Sequence, residues 1–142
     1  MKIPWIILGF IIFNYAYAEN IAVQIDPKHI IHCQIAQDSA AIQKGLMFRK
    51  HLAANQGMLF IFPKSSNWAF WMKNTLIPLD IIWLDANKTV LYISKNTPTC
   101  PQNTQNCPTY TPPSHLKAKY VLEIAQGQSN HLNIYLQQHL QF

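Results

Sequence analysis

The sequence predicts a single mainly-β domain, a β-sandwich or open barrel with one or two short helices, and three observations carry that prediction. Beyond Gly57 the chain breaks into short runs rich in β-branched and aromatic residues, each bounded by Pro, Asn, Asp, Ser or Thr clusters. Only one early segment, Asp38 to Gly45, carries helix start and stop signals. With 142 residues, 49% of them hydrophobic, the chain has room for one packed core and little else.

The elements follow in order. Lys2, the apolar run Ile3 to Phe13 and the small-x-small site Ala16-Tyr17-Ala18 read as a cleaved secretory signal over residues 1–18. That run is too short to span a bilayer, which takes roughly 17–25 apolar residues. Residues 19–29 read as a loose lead-in, with Asp26-Pro27 as a break, before a single domain over 30–142. Ile31, Cys33 and Ile35 alternate with His32 and Gln34, the pattern of a half-buried strand over Ile30 to Ala36. Asp38 caps a short helix, Ser39 to Lys44, which Gly45 ends. Strands are expected at Met58 to Phe62, Trp68 to Met72, Ile77 to Leu84, Thr89 to Ser94 and Lys119 to Ile124, with a hairpin turn at Asp85 to Lys88. The tail from Ser129 to Phe142 fits a strand or a helix equally.

Composition narrows the function. The chain is 12% charged, about half the usual share of roughly 25%, and its net +5 falls to +4 with the signal removed. Disorder, repeats and coiled coils are excluded by this apolar, aperiodic composition. The lysines are scattered without a basic stripe, so no nucleic-acid partner is expected, and the membrane is met only through the signal during export. A periplasmic or extracellular monomer is the expectation.

Export places Cys33, Cys100 and Cys107 in an oxidising space. Cys100 and Cys107 bracket six residues of a proline-rich loop, and a chain reversal there predicts a disulfide worth about 2–3 kcal/mol. Pinned by it and stiffened by prolines, the long 95–117 segment reads as an ordered flap. Cys33 is left as a buried, inert thiol.

Gly45-Leu46-Met47-Phe48-Arg49, Gly57-Met58-Leu59-Phe60 and the block Phe70-Trp71-Met72-Lys73-Asn74-Thr75-Leu76-Ile77-Pro78-Leu79-Asp80 resemble the family known as domain of unknown function 192. Cys107-Pro108-Thr109-Tyr110 and Tyr120-Val121-Leu122-Glu123 extend the resemblance over roughly residues 28 to 127. It implies a compact mainly-β domain, often secreted in bacteria, without an established activity. One departure stands out: the family tends to show a Gly-Asp turn near its end, where this chain has Gln137-Gln138.

Strand alternation sends Trp68, Phe70 and Met72 to one face and Ala69, Trp71 and Lys73 to the other. Trp71, Lys73, Asn74 and Asp80 could then meet at one rim, an indole plate beside donors and an acceptor, with Arg49, the sole arginine, as a possible clamp for an anion. Structural roles compete with this: Trp71 in the core, Asn74 and Thr75 holding a turn, Arg49 paired with Asp80 or Glu123. The six histidines lack ligand spacing, so no metal and no cofactor are expected. A catalytic set is not visible either: there is no Gly-x-Ser-x-Gly elbow, and no acid pair is placed by sequence. The leading expectation is therefore a non-enzymatic envelope module that binds a small polar ligand such as a saccharide. Two alternatives remain open, a glycan hydrolase using Asp80 and Glu123 or a histidine assembled by the fold, and a partner-docking protein using the 95–117 loop.

Overall fold

A computed structural model describes residues 19–100 and 106–142. The signal expected at 1–18 and the middle of the disulfide loop lie outside the described residues. A central sheet joins six strands in the order β1 (Asn20–Asp26), β2 (His29–Ala36), β3 (Gln56–Ser66), β8 (Ala118–Ala125), β5 (Leu79–Leu84) and β6 (Val90–Thr97). All neighbours are antiparallel except β2 and β3, whose parallel pairing needs a crossover, supplied by α1 (Ser39–Lys44). A two-stranded sheet of β4 (Phe70–Trp71) and β7 (Thr109–Tyr110) and a one-turn helix α2 (Gln128–His131) complete the set. The mainly-β expectation holds, with the sheet open and not closed into a barrel.

Both faces of the sheet are covered, which explains why β5 is buried along its whole length and why Met58 to Phe62 is apolar without alternation. On one face, Val23, Ile31, Leu59, Ile82 and Leu122 pack beneath the tail residues Leu132, Ile134 and Leu140. On the other, Met58, Phe60, Ile81, Trp83 and Val121 pack beneath Leu46, Met72 and Cys100, with Ile42 and Phe70 against them.

Two expectations need correction. Asn20–Asp26 is a strand and not a loose lead-in: Ile21, Val23 and Ile25 alternate inward, and β1 pairs with β2 along nearly its full length. The tail is neither a strand nor a long helix. After α2 it runs back across the molecule, bridging Gln141 to Gln24 and His139 to Thr89. The Asp85 turn does join β5 to β6, with Asp85 Oδ1 accepting from the N–H of Asn87 and Thr89. The Cys100–Cys107 disulfide forms, with its Cα atoms 5.7 Å apart, and Cys33 is free and buried. Burial pushes its thiol up to about 12, so it does not ionise near neutral pH.

Candidate ligand-binding site

The site is built where the exit of α1 meets the turn after β4. Asp38 Oδ1 accepts from the N–H of Ala41 to start α1, and Gly45 ends it by donating to the carbonyl of Ala41. Gly45 has φ +48° and ψ −134°, a conformation that a side chain would strain. The chain then turns through Met47 and Phe48, and Phe48 donates its N–H to the carbonyl of Asn74 at 2.8 Å. Asn74 sits at φ 55°, in the left-handed region that asparagine tolerates better than most residues, and so turns the chain after Lys73. This backbone bond, with the contact of the Asn74 amide to Met47 Sδ at 4.0 Å, ties the two segments together.

Between those segments lies a cleft of about 350 Å³. Ala40, Gln43, Lys44 and Met47 form one wall; Trp71, Lys73 and Asn74 form the other. Trp71 is 43% exposed, and the Lys73 ammonium stands 5.1 Å from its ring centroid. Phe70 and Met72 turn the opposite way, into the core. The alternation expected for this strand is therefore present, and it leaves an indole face in the open beside a cation and two side-chain amides.

A narrower recess shares the walls Gln43, Lys44, Met47 and Trp71 with this cleft and is bounded by Gly45, Phe60, Phe70, Thr75 and Glu123. Glu123 is 5% exposed, and its Oε2 has no hydrogen-bond partner among the described residues. Desolvation raises the carboxyl from 4.5 to about 8, so the acid is neutral at pH 7. A neutral carboxyl both donates and accepts, unlike a carboxylate, which only accepts.

Trp71, Lys73 and Asn74 come together; Asp80 does not join them. Asp80 is fully buried and accepts from the N–H of Asn96 at 2.8 Å and of Ser129 at 2.9 Å. In register, Asp80 lies opposite Ile124 and Glu123 opposite Ile81, so the two acids point to opposite faces of the sheet and cannot act as a pair on one bond. Arg49 pairs with neither acid. Its Nη2 donates to Gln34 Oε1, and it lines a separate cleft of about 460 Å³ with Gln34, Met58 and the Lys44–Met47 turn. Among the described residues no group of three or more His, Cys, Asp or Glu is placed to hold a metal. Sequence reasoning missed Glu123 as a partner of Trp71; the available signal was one acid inside the apolar run Val121-Leu122-Glu123-Ile124.

The profile of DUF192, described as uncharacterized ACR, matches residues 21–142. A solved protein of unknown function from Novosphingobium aromaticivorans DSM 12444 is similar at 27% identity and a TM-score of 0.79, over 91% of this chain and 89% of that one. A candidate transcription regulator from Sinorhizobium meliloti 1021 is similar at 26% identity and a TM-score of 0.75, over 87% of this chain and 94% of that one. No curated protein matches the chain.

Proposed function

The chain belongs to the DUF192 family, and on that premise, which brings a fold and no activity, we propose that it is an exported, non-enzymatic envelope module that binds a small polar ligand of the saccharide class. Export is supported by the signal-like first eighteen residues and by the Cys100–Cys107 disulfide, which suits an oxidising compartment. Among the described residues no helix is long and apolar enough to cross a membrane.

The observation that carries the reading is the half-exposed Trp71 ring with Lys73, Asn74 and Gln43 around it on the walls of one cleft. An indole face stacks on the apolar face of a sugar ring, while amide and ammonium groups bond to its hydroxyls. Arg49 and Asp80 are not needed for this, since Asp80 holds backbone and Arg49 faces its own cleft.

The test is isothermal titration of the full chain with cell-wall fragments and simple sugars. Saturable binding that Trp71→Ala abolishes, with unchanged circular dichroism, supports the module. A flat response from folded protein across the whole panel overturns it.

A further inference from the structure

The recess beside the cleft has a chemistry of its own. Apolar and polar groups share its walls: Phe60 and Phe70 meet edge to face at 5.0 Å on one part, Gln43, Lys44 and Thr75 line another, and Glu123 Oε2 lacks a partner among the described residues. Buried polar atoms in folded proteins are nearly always hydrogen-bonded, so an orphaned carboxyl oxygen beside open space marks a place where something else supplies the partner. The space is about 30 Å³, against the roughly 10–15 Å³ that a single water needs. That is room for about two or three small heavy atoms on this scale.

We propose that this recess receives the acetyl group of an N-acetylated amino sugar whose ring lies against Trp71, the methyl packing on Phe60 and Phe70 and the amide carbonyl accepting a hydrogen bond from the Glu123 carboxyl. The inference rests on the reading of the outer cleft as a saccharide site and names the sugar class that it takes. An acetyl group is one methyl and one acceptor: the methyl matches the Phe60 and Phe70 part of the wall, and the carbonyl matches the unpartnered carboxyl of Glu123. A bare hydroxyl would leave the aromatic walls unfilled, and an ammonium offers neither a methyl for those walls nor an acceptor for the carboxyl proton.

The donor role requires the protonated acid; burial favours that form, while the nearby cations, Lys44 and Lys73, act in the opposite sense. Lys44 from α1 lines the recess, and Lys73 lines the outer cleft. Phe60 of β3, Phe70 and Trp71 of β4, Thr75 of the following turn and Ile81 of β5, which is opposite Glu123 in register, carry no charge. Binding should therefore weaken as pH rises through the acid's ionisation near 8.

The experiment titrates the full chain with N-acetylglucosamine, glucosamine and glucose by calorimetry at about pH 6 and about pH 9, with Glu123→Gln and Glu123→Leu in parallel. N-acetylglucosamine should bind about tenfold more tightly than glucose at the lower pH, the scale of one good hydrogen bond, and the preference should shrink at the higher. Glu123→Gln, whose amide N–H donates at either pH, should keep the preference and lose its pH dependence. Glu123→Leu should lose the preference. Equal binding of N-acetylglucosamine and glucose overturns the acetyl subsite while leaving the saccharide reading standing. Tighter binding of glucosamine assigns the recess to an ammonium and also overturns it. No binding of any of the three by folded protein overturns the acetyl subsite together with its premise.

Discussion

Gly45 stands against the buried carboxyl of Glu123: a Cβ at Gly45 would lie 3.9 Å from Glu123 Oε2 and 3.3 Å from Cζ of Phe60. The first contact is ordinary and the second is tight, while the backbone at φ +48° disfavours any side chain. Gly45→Ala should therefore lower stability by about 1–3 kcal/mol, mainly through backbone strain. Urea unfolding checks this as a lower midpoint at unchanged slope. A loss below about 0.5 kcal/mol, the usual range for surface changes, would mean that the turn relaxes and the strain argument is wrong.

Glu123 also predicts a pH dependence of stability. Its carboxyl ionises near 4.5 when the chain is unfolded and near 8 when folded, because burial penalises the charge. Between those values the folded chain holds a proton that the unfolded chain has lost. The contribution is thus fully present below about pH 4.5 and declines as pH rises through 8, by at most about 1.4 kcal/mol per unit. Glu123→Gln lacks this slope, so its stability relative to the parent should climb across the window and level off above it. A constant difference from about pH 5 to 8 would show that the carboxyl is ionised in the folded state.

Local chemistry made part of this legible in the sequence. Asp38 and Gly45 delimit α1 because a capping carboxylate and a residue tolerant of positive φ act within a few positions of themselves. Trp71, Lys73 and Asn74 are close neighbours in the chain, so alternation and one turn suffice to gather two of the cleft's side chains and the amide beside them. Glu123 comes to the recess beside Trp71 only because β8 inserts between β3 and β5, a non-local pairing that no short window carries. The separation of Asp80 from Glu123 has the same origin: the β5–β8 register places them one residue out of phase, on opposite faces. In β1 the signal was present, in Ile21, Val23 and Ile25, but it was outweighed by the Asp26-Pro27 break.

Asp80 should behave as a structural residue. Its two oxygens receive the N–H groups of Asn96 and Ser129, tying the end of β6 and the start of α2 to β5 in a fully buried position. Asp80→Ala leaves both donors unsatisfied and should cost about 3 kcal/mol, while Asp80→Asn keeps one acceptor and should cost less. Affinity for any sugar that binds the Trp71 cleft should stay within about twofold in Asp80→Asn, well under the tenfold that one lost contact produces. Chemical unfolding and calorimetry on the same variant separate the two roles. A variant that folds as well as the parent yet loses binding would return Asp80 to the site.

Gln137 occupies a left-handed position at φ 70°, where its exposed side chain has no conformational advantage. Its backbone N–H donates to the carbonyl of Val90 at 2.8 Å, a bond that any non-proline residue keeps. Replacing it with glycine relieves about 1–2 kcal/mol of left-handed strain but gives the unfolded chain freedom worth about 0.4–1 kcal/mol. The strain outweighs the entropy, so Gln137→Gly should raise stability by about 0.5–1 kcal/mol, with the midpoint in urea moving up. A fall in stability would mean that the tail tolerates the positive φ without strain, leaving the entropic cost alone. The turn would then be held by the Gln138 contacts, whose Nε2 donates to the carbonyl of Ile25 and whose Oε1 accepts from the N–H of Tyr135.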